Sequence, residues 1–213
     1  SGVVHDVIHL SDLDKINLSA YKAIVFMNTF MLGKDQKKFI LDKVAKGNRN
    51  LIWLYAPGYS NGVKLDVQHV SEVTGIESAI VYPTDTVFLT VSASIVPDYT
   101  FSVMNSVISP LFIVSDKAAE SHGQIAGTNQ VGFASKKLVE STSWFISLPP
   151  DNQNVWRYIF RKAGAHIYND QGDIFYSGSE ILTVHTKDGG HRIIKLKNGK
   201  SVSVTLPANS TTL

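Results

Sequence analysis

The residues best placed to do chemistry in this chain form one short segment, Gly58-Tyr59-Ser60-Asn61-Gly62. It has the Gly-x-Ser-x-Gly spacing of serine hydrolases, in which a tight turn between strand and helix exposes the hydroxyl and a histidine takes its proton. Asn50 to Tyr55 reads as the strand that feeds the segment, and the carboxyl end of such a strand is where α/β sheets place ligands and nucleophiles. His122, His166 and His185 are candidate bases. Pro57, however, stands between strand and serine, and the next helical pattern starts several residues later, so a Pro-Gly turn with a Ser-Asn-Gly loop accounts for the same residues. Tyr55, Pro57, Gly58 and Tyr59 are therefore ligand or interface candidates, Ser60 is the alternative nucleophile, and no catalytic residue is assigned.

Other constellations carry less. His5 and His9, with Asp6 and Asp12 nearby, have the spacing of a metal pair on a helix, but Val3-Val4 and Val7-Ile8 read as a strand, which sets the two imidazoles too far apart to chelate. No metal ligand and no cofactor is expected. His166 and His185 sit among apolar residues and read as satisfied core histidines. Asn169 to Asp173 lacks the closing Glu of a calcium loop and reads as a turn between strands at 165–168 and 174–176. Glu120 with Glu140, or Asp85 with Asp98, has no spacing that sets two carboxyls at a glycosidase separation. The sequence holds no cysteine, which excludes disulfides, thiolate metal sites and every cysteine nucleophile.

The elements that position these residues follow from hydrophobic patterning. Ala23–Met27, Leu51–Tyr55 and Leu111–Val114 are continuous apolar runs, the pattern of strands covered on both faces, and they predict a central parallel sheet. Lys34 to Lys46 predicts a helix closed by Gly47, which makes a β-α-β unit with the flanking runs. Asp151 and Asn152 cap a second helix whose stripe is Val155, Trp156, Ile159, Phe160 and Ala163, expected on the same sheet; Val67 to Thr74 is a third, ended by Gly75. Thr86 to Ser94 alternates as a half-exposed strand. From Ile181 to Leu206 three strand-like runs are separated by Asp188-Gly189-Gly190 and Asn198-Gly199, the latter a type I′ hairpin signal, so the chain ends in an antiparallel meander.

These runs, together with Tyr21–Asn28, Ala56-Pro57-Gly58-Tyr59, Ala163–Asp170 and His185, resemble the glutamine-amidotransferase-like domain of bacterial glycoside hydrolases, of which the trimerisation domain of bacterial β-galactosidases is the best-known case. The resemblance runs from about Tyr21 to the C-terminus. It implies an α/β fold, flavodoxin-like or class I amidotransferase-like, with a mainly parallel sheet flanked by helices over residues 1–176 and the β meander over 177–213. It also implies a non-catalytic domain ancillary to a carbohydrate-active enzyme, with the catalytic carboxylates on an upstream (β/α)₈ barrel. Without cysteine, amidotransferase chemistry itself is absent. The sequence departs from that pattern at its start, where only Val3 to Leu10 precede Tyr21, room for one strand and a turn. Ser1-Gly2 reads as a cloning remnant.

Three function classes follow: subunit assembly or completion of a substrate cleft, a serine hydrolase using Ser60, and a carbohydrate-binding module. Expected partners are a second copy, an upstream barrel domain or carbohydrate. With 20 Lys and Arg against 18 acidic residues and no run of either sign, nucleic acid and membrane surfaces are not expected partners. No apolar stretch reaches the ~20 residues of a spanning helix, so a soluble chain is expected, periplasmic, extracellular or cytoplasmic in a bacterium.

Overall fold

The computed structural model describes residues 1–178 and 181–213. The chain separates into two compact units: a central unit, Asn17–Pro150, and a terminal unit that joins Ser1–Ile16 to Asp151–Leu213. The central unit ends at Pro150.

In the central unit, β1 (Ala23–Phe26) leads through α1 (Lys34–Phe39) to β2 (Arg49–Leu54), then α2 (Val67–Thr74), β3 (Ser78–Val81), β4 (Leu89–Val91), β5 (Thr100–Phe101), β6 (Leu111–Val114), β7 (Glu120–Ile125), β8 (Val131–Lys137) and β9 (Ser141–Ile146). All nine strands belong to one sheet, along the path β1-β2-β9-β8-β7-β4-β5, with β3 joined through β6. Only β1, β2 and β9 run parallel; the remaining pairings are antiparallel.

The flavodoxin-like, mainly parallel sheet flanked by helices therefore does not form. Among the described residues strands hold 33% and helices 18%, so the fold is a mixed, curled sheet in which helices are a minor part. The cause of the difference is visible in β6. Its four residues are all buried, as its apolar run predicts, yet it pairs antiparallel with β3. A continuous apolar run reports burial on both faces and carries no information on strand direction.

Helical signals with local caps are read more directly. The Asp66 carboxylate accepts from Gln68 N at 3.0 Å to start α2, and Gly75 follows its last residue. The segment 34–46 is α-helical only to Phe39 and then widens into a π-turn over Ile40–Val44, closed by Ala45 N donating to Ile40 O at 2.8 Å. Ile40 and Val44 still face the core.

In the terminal unit α3 (Gln153–Lys162) is capped by Asn152, whose side chain accepts from Asn154 N at 2.8 Å. It is followed by β10 (Ile174–Ser177), β11 (Leu182–Thr186), β12 (Gly190–Lys195), β13 (Ser201–Leu206) and β14 (Ser210–Thr212). The five strands are antiparallel but divide into two sheets, β10-β11-β14 and β12-β13, so they are not one meander. Residues 3–9 and 165–168 take no strand conformation. The Asn198-Gly199 turn is not type I′: only Gly199 has positive φ, 83°, and Gly199 N donates to Leu196 O at 3.0 Å, the pattern of a type I turn with a glycine bulge. Tyr168, Phe175, Val184, Ile194 and Leu206 form this unit's core, with Val4 packed against it.

Gly189, between β11 and β12, has φ 65°, and a Cβ there would lie 2.5 Å from Ala208 N and 2.8 Å from Pro207 C. Gly199 has open space around its Cβ position. Gly189→Ala is expected to lower the terminal unit's stability by about 2 kcal/mol or more, and Gly199→Ala by about 1 kcal/mol, because only the first adds collision with backbone to left-handed strain. Urea midpoints followed by hydrogen exchange in β11 and β12 separate the two.

Candidate functional site

The candidate site is built at the carboxyl ends of β1 and β2, inside the central unit. Phe26 pairs with Trp53 in the parallel register, and two residues beyond each the chain enters the left-handed region, at Asn28 (φ 54°) and Tyr55 (φ 65°). For a residue as large as tyrosine this conformation costs of order 1–3 kcal/mol and persists only where the surroundings impose it. Here they do. Tyr55 N donates to Ile146 O at 2.9 Å, its hydroxyl donates to Pro110 O at 2.7 Å, and its ring meets the edge of Phe112 at 5.3 Å between centroids. Burial, with Tyr59 nearby, pushes the Tyr55 phenol above its ordinary range, so it stays a hydrogen-bond donor at neutral pH.

Pro57 and Gly58 are buried and turn the chain back beneath the loop after β1. Gly58 N donates to Thr29 O at 2.8 Å, and Gly58 has φ 67° with Leu32 and Val73 side chains 3.3 and 3.4 Å from where a Cβ would stand. Tyr59 is half-buried between the rings of Phe30, at 5.5 Å, and Phe112, at 4.9 Å. The Thr29 hydroxyl is buried and has no hydrogen-bond partner among the described residues.

Ser60 does not sit on a strand-to-helix elbow. Its backbone bridges two loop segments, Met31 in parallel and Leu65 in antiparallel. Ser60 N donates to Phe30 O at 3.0 Å, Leu32 N donates to Ser60 O at 2.9 Å, and the Ser60 hydroxyl accepts from Gly62 N at 3.2 Å. The histidine that meets this loop is His69 of α2, absent from the sequence candidates. Its Nδ1 donates to Tyr59 O and its Nε2 accepts from the Asn61 amide, both at 3.4 Å. Among the described residues no imidazole bonds the Ser60 hydroxyl. Of the expected bases, His122 is buried against Trp144 and paired with Ser135 Oγ at 2.8 Å, while in the terminal unit His166 meets Lys195 O at 2.7 Å and His185 meets Thr211 Oγ1 at 2.9 Å.

What the loops present outward is apolar. Met31 is 60% exposed, Leu65 59% and Val63 93%, with Met27 and Phe30 also exposed. The charges beside them are paired to each other: Lys64 donates to Asp66 at 2.7 Å, and that bond is the main cause holding the Asp66 carboxyl below its usual range. Sequence reasoning named the tyrosines and the Pro-Gly turn but missed Met31 and Leu65. Both bridge to Ser60: Leu65 across the local turn in which Asn61 Oδ1 accepts from Val63 N and Lys64 N, and Met31 across about 30 residues of chain, a pairing that no local motif marks.

Among the described residues no three His, Asp or Glu side chains converge as a metal ion requires, and no helix is long and apolar enough to cross a membrane. His5 and His9 are both exposed, in a segment outside any strand.

No family model matches the chain, and no curated protein matches it. Among solved structures it is similar to the β-galactosidase from Bacillus circulans sp. alkalophilus, with a TM-score of 0.61 and 14% sequence identity over 92% of this chain and 33% of that one. The chain spans about a third of the length of that enzyme, and at this identity the likeness is one of fold.

Proposed function

We propose that this chain is a non-catalytic domain of a β-galactosidase-like glycoside hydrolase, and that the rim at the carboxyl ends of β1 and β2 joins it to a second copy. The observation that carries the reading is the rim itself. A strained, over-determined strand end supports a half-buried Tyr59 and, beside it, the exposed side chains of Met31, Val63 and Leu65. Exposed apolar side chains gathered on one edge mark contact surfaces, and a patch that meets its own copy about a two- or three-fold axis makes a closed oligomer. The similarity of fold to part of a β-galactosidase supports the parent class. The Ser60 hydroxyl, engaged in its own turn, gives no support to a nucleophile.

Light scattering across a concentration series is expected to give an oligomer for the chain and a monomer for Met31→Asp/Leu65→Asp, since two charges buried in an apolar contact oppose association strongly. A chain that stays monomeric at every concentration, or a double variant that associates as before, counts against the assembly role. Labelling by a fluorophosphonate that disappears in Ser60→Ala would overturn the non-catalytic reading.

A further inference from the structure

In the terminal unit a cleft of about 260 Å³ opens where α3 ends, lined among others by Arg161, Ala165, His166, Ile167, Asp170 and Lys195. Its polar groups are of both kinds. Arg161 and Lys195 are permanent donors and Asp170 is an acceptor. Arg161 Nη2 and Asp170 Oδ2 stand 3.8 Å apart, within ion-pair reach but beyond a hydrogen bond, and both side chains are more than half exposed. Neither consumes the other's hydrogen-bonding capacity. His166 Nε2 lies 2.7 Å from Lys195 O, and because a carbonyl only accepts, that nitrogen carries the hydrogen and Nδ1 keeps a lone pair in the neutral ring.

This lining discriminates between ligand classes. An anion would meet the Asp170 carboxylate and the partial negative charge at the carboxyl end of α3, and a cation would meet Arg161 and Lys195. A hydroxyl group both donates and accepts, so two neighbouring hydroxyls can satisfy a carboxylate and a guanidinium together. Ala165 and Ile167 supply an apolar wall for C–H faces. The volume lies just under the ~300–1,000 Å³ of drug-sized sites, room for a single ring.

We infer that this cleft binds a neutral polyhydroxylated ring, one pyranose unit of a saccharide, with hydroxyls shared between Asp170 and the two cations Arg161 and Lys195. The inference does not depend on the assembly reading, which concerns the other unit.

D-galactose titrated into the whole chain, followed by amide chemical shifts, is expected to move the signals of residues 161–170 and 195. Asp170→Asn and Arg161→Met are each expected to weaken binding about tenfold or more, as loss of a charge-assisted hydrogen bond does. Both side chains are exposed, so the variants keep the fold, and unchanged spectra elsewhere check this. Absence of any shift with galactose or glucose, shifts unaltered in both variants, or tighter binding of sulfate than of galactose overturns the assignment.

Discussion

Asp173→Asn is expected to destabilise the terminal unit by about 3–5 kcal/mol, the cost of breaking a buried ion pair by removing one partner. Asp173 and Arg192 are 3% and 7% exposed, and the guanidinium reaches both carboxylate oxygens, Nε to Oδ2 at 2.7 Å and Nη2 to Oδ1 at 3.3 Å. Arg192 Nη2 also donates to Thr186 Oγ1 at 2.9 Å, and the Asn169 amide donates to Asp173 Oδ2 at 2.7 Å. The group thus ties the loop before β10 to β11 and β12. In the variant the guanidinium stays buried without a counter-charge.

Burial alone would raise the Asp173 carboxyl, but the hydrogen bonds from Arg192, Asn169 and Thr186 outweigh it and hold it below its ordinary range. A carboxyl depressed in the folded state contributes stability above its unfolded value of about 4, and that contribution is lost as pH falls through the folded value. The terminal unit is therefore expected to lose stability below about pH 4, and the acid slope is expected to shrink in Asp173→Asn. Urea titrations at several pH values, read by hydrogen exchange in β11 and β12, measure both effects. Asp173→Leu combined with Arg192→Met is expected to recover much of the loss, because an apolar pair leaves no orphaned charge. A single variant within about 1 kcal/mol of the parent would refute the role given to this pair.

The same two residues mark a limit of sequence reading. Asp and Arg are taken as surface residues unless a partner is known, and these partners lie 19 positions apart in different elements. Where signals are local the reading succeeds. The helix read over residues 67–74 and ended by Gly75 forms as α2, and Asn152 caps α3. Strand existence was legible at β1, β2 and β6, but direction and partner were not, since β9, the partner of β2, lies about 90 residues away. At the site, the strand end and the Pro-Gly turn could be read from Leu51–Gly58. Tyr55 in a left-handed conformation could not, because a residue of that size is among the last to be expected there. Nor could Met31, whose meeting with Ser60 depends on the register of β1 against β2.

That register is anchored by tryptophan, and Trp53→Ala is expected to cost the central unit about 3–5 kcal/mol. Trp53 is fully buried, its ring stacks on Phe26 with centroids 4.1 Å apart and planes 12° from parallel, and its indole N–H donates to Ser143 Oγ at 3.0 Å. Trp144 makes the reciprocal bond, donating to Asn50 Oδ1 at 2.8 Å, so β2 and β9 are joined by two indoles as well as by their ladder. Alanine at 53 would open a cavity between β1 and β2 and leave a fully buried serine without its donor. Phe in the same place keeps most of the ring contact and loses only the bond, which predicts a smaller loss of about 1–3 kcal/mol. Trp53 stands two residues before Tyr55, so relaxation at the cavity is also expected to release Tyr55 from its left-handed conformation and to weaken self-association at the rim. Denaturation with hydrogen exchange in β1 and β2, paired with light scattering, reads both effects. Full association in Trp53→Ala at a stability equal to that of the parent would disconnect the rim from the strand end that carries it.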